Sequence, residues 1–117
     1  MGKRPDIVWE EQCWNNRKVI LYRHTLLGHI ARFHIDEIFV TYALRRNLRQ
    51  PICVLDNRKH GTVNAIYDLP NGGHKWLLVA ICFPGLHKKI VGKTNFIKTF
   101  YGVNEIPGGR VLWGKKP

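Results

Sequence analysis

The chain has 117 residues, 19 Lys and Arg against 8 Asp and Glu for a formal charge of +11, and a 44% hydrophobic share. That length serves one core, so residues 1–117 read as a single domain, and the apolar and aromatic content excludes a disordered basic tail. No apolar run reaches the roughly 18 residues of a membrane span, the polar start MGKRPD has no signal-peptide core, and the cation excess makes a polyanion, nucleic acid first, the expected partner.

In chain order, Asp6 is placed to cap a short helix running into IVWEEQCW, and VILYR (19–23) reads as a strand. From His24 the period changes: Leu26, Leu27, Ile30 and Phe33 fall on one helical face. A second helix carries Ile35, Ile38, Phe39 and Tyr42, with Asp36 and Glu37 near its start and Arg45, Arg46 and Arg49 at its end, where the charges suit the macrodipole. Pro51 stops helical structure and opens the strand PICVLDN. TVNAIYDL is the next strand, PNGG (70–73) turns it back, and HKWLLVAICF, apolar on both faces, is the central strand. PGLHKK makes a loop and NFIKTFYGV (95–103) a strand with Phe96, Lys98 and Phe100 on one parity and Ile97, Thr99 and Tyr101 on the other. PGG (107–109) leads to a final RVLW. The expected fold is therefore α+β, with N-terminal helices packed on one face of an antiparallel sheet of four to five strands.

Cys13, Cys53 and Cys82 are odd in number and lack CxxC spacing, which fits neither a disulfide framework nor a zinc finger, and Cys53 and Cys82 sit in apolar runs as core thiols do. A reducing compartment suits them. His29 and His34 in GHIARFH are five apart, about 140° round a helix, where helical metal ligands use i, i+3 or i+4. No metal site and no cofactor are expected. VGKT (91–94) ends like a phosphate-binding loop, but position 87, where that motif needs glycine, is His87. GxSxG is absent.

What remains is His24, His29, His34, His60, His74 and His87 among many Lys and Arg. RNA is cut without metal when a base takes the 2′-hydroxyl proton, a cation stabilises the phosphorane and an acid protonates the leaving 5′-oxygen. Imidazoles, cations and hydroxyls suffice for that. Composition alone places such catalysis and plain nucleic-acid binding equally. In the binding reading Arg45, Arg46, Arg49, Lys88 and Lys89 hold phosphates while Trp76 or Tyr101 stacks on bases. A helix offering His29 and His34 to a strand offering Thr99 and Tyr101 would form a cleft suited to the catalytic one.

The order KVILYR, HIARFHIDEI and NFIKTFYGV resembles the ribonuclease group that links Barnase, EndoU, colicin and RelE toxins, over residues 18 to 103. Phage-borne and polymorphic-toxin members, including the contact-dependent growth inhibition type, are the nearest. The matching positions are His29, Ile30 and His34 in one motif, and Phe96, Ile97, Thr99 and Tyr101 in the other. The resemblance implies a curved antiparallel sheet with the site on its concave face. It also implies a metal-independent endoribonuclease toxin that cuts tRNA or other RNA in the cytoplasm of a target cell and is held off by an acidic immunity or antitoxin protein. Delivery as the C-terminal domain of a larger secreted toxin is compatible with it. His29 or His34 becomes general base or acid, and Thr99 a phosphate-contacting hydroxyl with Tyr101 beside it. Lys75, Lys98, Arg58, Lys59 and His60 are left as candidates for the cation. Many relatives follow the second histidine with proline and an acid; this chain has Ile35 and Asp36.

Overall fold

A computed structural model describes residues 6–33, 39–57, 61–70, 73–83 and 94–117, the side chains at 29–33 and 39–41 excepted. Seven strands form one mixed sheet: β1 (Ile7–Gln12), β2 (Lys18–Tyr22), β3 (Cys53–Asn57), β4 (Thr62–Tyr67), β5 (Trp76–Cys82), β6 (Phe96–Val103) and β7 (Val111–Gly114). Between β2 and β3 lie α1 (Arg23–Phe33), a π-helical turn Phe39–Leu44 and a single α-helical turn α2 (Arg45–Asn47). The order across the sheet is β1-β2-β6-β5-β4-β3-β7, so the doubly apolar β5 is the middle strand, as its composition predicts.

The first expected helix is a strand. Asp6 caps nothing: its carbonyl accepts the Arg23 N–H at 2.9 Å, extending the β1–β2 pairing. The stronger local signal is Asn15-Asn16. Asn16 takes φ 63°, the left-handed conformation that asparagine tolerates, and Asn15 Oδ1 accepts from the Arg17 N–H at 3.1 Å, which closes a hairpin. The four-to-five-strand antiparallel sheet is corrected as well. β1 adds an edge, β7 returns to pair with β3 instead of β6, and β2 lies parallel to β6 through Ile20 and Phe96. The helices follow two strands and so are not N-terminal. The second expected helix is described only from Phe39 onward.

α1 packs on β6 and β2. Leu26, Leu44 and Leu48 from the helical layer are sealed against Val63, Tyr67, Val79, Ile81, Ile97 and Phe100 of the sheet, and each such aliphatic side chain contributes about 1.5–3 kcal/mol by leaving water. Leu27, one residue round the helix from Leu26, is exposed. Tyr67 donates its phenolic O–H to the Leu48 carbonyl at 2.7 Å, and Arg45 Nε donates to Glu11 Oε1 at 2.6 Å. These two bonds fix the helical layer on this side of the sheet, the packed face.

The opposite face has its own apolar cluster, Cys53, Leu55, Ile66, Leu78 and Ala80. The link from β6 to β7 must pass three strands, and Ile106 packs on this cluster with Trp76, Tyr101 and Val103, so the link crosses this face. It covers the end where β6 finishes.

Candidate nucleic-acid interface

β6 does not alternate strictly. Ala80 faces Thr99 and Ile81 faces Ile97, which leaves Lys98 as the extra residue of a bulge. Ile97 and Phe100 therefore both enter the packed face, and Thr99 and Tyr101, opposite Ala80 and Leu78, stand on the other face together with Phe96. The expected pairing of Ile97 with Thr99 and Tyr101 on one side is corrected by that one inserted residue.

The same bulge sets Lys98 beside the site. Burial pushes the Cys82 thiol up, and the nearby Lys98 ammonium pulls the other way, which places the cation by Cys82, the residue that pairs with Phe96. β2 brings a further group to this end. Tyr22 alternates with the buried Leu21, its ring lies 6.1 Å from that of Phe96, and the exposed His24 imidazole stacks on it at 5.5 Å with a 15° interplanar angle. Continuing the parallel register from Ile20 and Phe96 sets Tyr22 alongside Lys98. Next to them a shallow groove of about 380 Å³ is lined by Glu10, Arg17, Lys18, Ile20, Thr94 and Asn95. Glu10 there is paired with Lys18 at 3.6 Å. Strands β2 to β6 carry one carboxylate, Asp56, and its opposite number Val63 puts it on the packed face.

The expected site residues are thus partly brought together. Thr99, Tyr101 and Lys98 share the face opposite the helical layer, beside its buried Cys53–Leu55–Ile66–Leu78–Ala80 cluster. Lys75 is on that side of β5's start, its Nζ 5.8 Å from the Trp76 ring centre and its N–H bonded to Asn104 Oδ1. Trp76 pairs with Val103, so Lys75 stands roughly 19 Å along the sheet from Lys98. Arg45 is tied to Glu11, and Arg49 to Asn16 at 3.0 Å, both from the helical layer, and Arg46 is exposed in the same turn. His29 lies in α1 with its side chain outside the description, and His34, Arg58, Lys59, His60, Lys88 and Lys89 lie outside the described residues.

α1 packs on the face that Thr99 turns away from, so the expected cleft of one helix facing those hydroxyls is not how the sheet presents them. The sequence names His24 only as one of six histidines; it is the second residue of α1, and its adjacency to Tyr22 in a strand-to-helix junction was the signal that could have singled it out. Asn64, a buried polar side chain between Val63 and Ala65 of β4, was not singled out in the sequence. Among the described residues no three His, Cys, Asp or Glu side chains gather to hold a metal ion, and no helix is long and apolar enough to cross a membrane. No protein-family model, curated protein or solved structure matches the chain.

Proposed function

We propose that this chain is an endoribonuclease toxin that cuts RNA, tRNA foremost, without a metal ion. The observation that carries the reading is the β2–β6 end of the sheet face opposite the helical layer, which carries Lys98, Thr99, Tyr101 and the His24 imidazole while the one carboxylate of β2 to β6, Asp56, lies on the packed face. In the reaction a histidine takes the proton of a 2′-hydroxyl, which attacks the adjacent phosphorus. Lys98 and Thr99 stabilise the phosphorane charge, and a protonated histidine gives its proton to the departing 5′-oxygen, leaving a 2′,3′-cyclic phosphate. His29 and His34 are the imidazoles named by the resemblance, and His24 has an exposed ring stacked on Tyr22.

An acidic immunity protein is the proposed restraint, and the cytoplasm of a target cell the proposed place of action. Edge strand β7 suits such a partner, since Val111, Leu112 and Trp113 are exposed between Arg110 and the Lys115–Lys116 pair. The alternative, a non-catalytic nucleic-acid-binding module, draws on Lys75 over Trp76 with Tyr101 nearby, a cation and aromatics of the kind that hold single strands.

Incubation of the purified chain with total tRNA in EDTA separates the two. Discrete cleavage that His24→Ala, His29→Ala or His34→Ala abolishes supports the enzyme. Intact RNA over a broad range of pH and concentration, with retained binding, supports the module.

A further inference from the structure

One flank of α1 faces solvent at its junction with β2. His24, Leu27 and Gly28 lie at i, i+3 and i+4, so they share that flank, and all three are exposed. Leu27, next to the sealed Leu26, keeps 52% of its surface in water. Gly28 is the middle residue of α1 and has no left-handed φ, and a Cβ added there would meet no atom of the described residues within 4 Å. Neither strain nor crowding calls for glycine at that position, and glycine weakens a helix interior relative to alanine. What it supplies is a low surface on which a ligand can approach the backbone closely.

The wall of that surface is aromatic. Phe96, Tyr22 and His24 form a row: the rings of Phe96 and Tyr22 are tilted with centroids 6.1 Å apart, and His24 stacks on Tyr22 at 5.5 Å and 15°. His24 ends the row, and its exposure leaves the ring face turned from Tyr22 to solvent. Down β2 from Tyr22, Ile20 and Lys18 stand on the same side of the strand and line the groove of about 380 Å³ with Arg17. Asn95 builds that groove: its Nδ2 donates to the Lys18 carbonyl at 3.1 Å, and its carbonyl accepts the Ile20 N–H at 3.0 Å. Two cations there face one carboxylate, Glu10, which Lys18 holds at 3.6 Å. An anion therefore suits the groove, and a flat apolar ring suits the end of the aromatic row, about 13 Å away along β2. A nucleotide chain carries both, and its unpaired bases stack on aromatic faces whatever their identity.

We infer that His24, Leu27 and Gly28 form a platform for one unpaired base of an RNA strand, which extends the Phe96–Tyr22–His24 row while the strand's backbone runs down β2 to a phosphate held at Arg17. The nature of the strand rests on the proposed ribonuclease function; the platform itself rests on the exposed row and the open helix flank. His24 acts here through its ring and not its proton, which is compatible with proton transfer at His29 or His34.

The test measures binding of the full chain to a 2′-O-methyl RNA hexamer, which lacks the attacking hydroxyl, by fluorescence anisotropy. Gly28→Leu introduces a strong helix former, so Tm should not fall; its side chain stands where the base must lie, and hexamer affinity should drop at least fivefold. His24→Ala should lose as much, whereas His24→Phe, which keeps a ring without a titrating nitrogen, should bind within twofold of the parent. Arg17→Gln should lower the slope of log affinity on log salt by about one. A smaller loss in His24→Ala or Gly28→Leu, or a loss beyond twofold in His24→Phe, overturns the platform, and an unchanged salt slope overturns the phosphate's place in the groove. If Gly28→Leu is less stable than the parent, the two His24 variants decide. A parent that leaves the hexamer unbound also overturns the platform; cleavage of unmodified tRNA then keeps the ribonuclease reading, and only a chain that neither binds nor cuts RNA loses both.

Discussion

Tyr67→Phe separates the helix-packed face from the face that carries Thr99. The phenol is fully buried, and its O–H donates to the Leu48 carbonyl at 2.7 Å, joining β4 to the end of the helical layer. Phenylalanine keeps the ring and its packing, so the loss is one hydrogen bond together with the desolvation of a carbonyl left without its donor. The two together amount to about 1.5–2.5 kcal/mol. At about 4 °C per kcal/mol for a chain of this size, Tm should fall by about 6–10 °C, with the urea m value unchanged. Calorimetry and urea titration measure this. Cleavage per folded molecule at 25 °C should stay within twofold, because Tyr67 lies in the packed cluster and Thr99 on the other face. Thr99→Val is the mirror experiment: it keeps a β-branched residue in β6 and removes the hydroxyl, so turnover per folded molecule should fall at least tenfold. An unchanged Tm in Tyr67→Phe, or a loss of turnover without a loss of Tm, would refute the assignment of roles to the two faces.

Other consequences are open to direct measurement. Gly114 has φ +72°, and an added Cβ would meet the Ile52 carbonyl oxygen at 2.2 Å, so Gly114→Ala should cost about 1–3 kcal/mol and loosen β7 from β3, seen as faster amide exchange at β7 with β4 and β5 unaffected. Burial pushes the Cys13, Cys53 and Cys82 thiols up, outweighing the opposing pulls of Asn15 and Arg17, of Lys116 and of Lys98. The native state therefore holds those protons more tightly than the unfolded chain, whose thiols titrate near about 8.5. The stability they contribute is complete below that pH and is lost as pH rises through the raised native values, so the urea midpoint should fall above about pH 8.5; a midpoint that rises there contradicts the burial. RNA affinity should drop steeply as salt is raised from 50 to 200 mM, and a flat profile would argue against phosphate contacts by the cationic face.

Much of the architecture is legible because the apolar pattern of each strand is strong. Cys53–Asn57, Thr62–Tyr67, Trp76–Cys82 and Phe96–Val103 fall inside the segments that β-branched and aromatic content marks, and α1 begins one residue before the change of period at His24. β1 was hidden because Asp6 and a mixed run of Trp and Glu satisfy helix rules locally, whereas its strand character depends on pairing with β2. Pairings between distant strands have no local signature, so neither the parallel contact of β2 with β6 nor the return of β7 to β3 can be read from composition. The bulge at Lys98 is of the same kind. A single extra residue exchanges the faces of everything before it, and only the register with β5 reveals it. Thr99 and Tyr101 could be picked out as hydroxyls on a strand with mixed faces, but which face they take, and the stacking of His24 on Tyr22 at the same end of the sheet, depend on that register and on a ring contact.

The most direct measurement places a single 2′-deoxy nucleotide at the mapped cut site of an otherwise unmodified RNA and analyses the ends formed in EDTA. Attack by the neighbouring 2′-hydroxyl requires that cleavage stop at that position alone, and that the unmodified RNA yield a 2′,3′-cyclic phosphate and a 5′-hydroxyl. Cutting that continues at the 2′-deoxy position, or 5′-phosphate ends, would contradict the account.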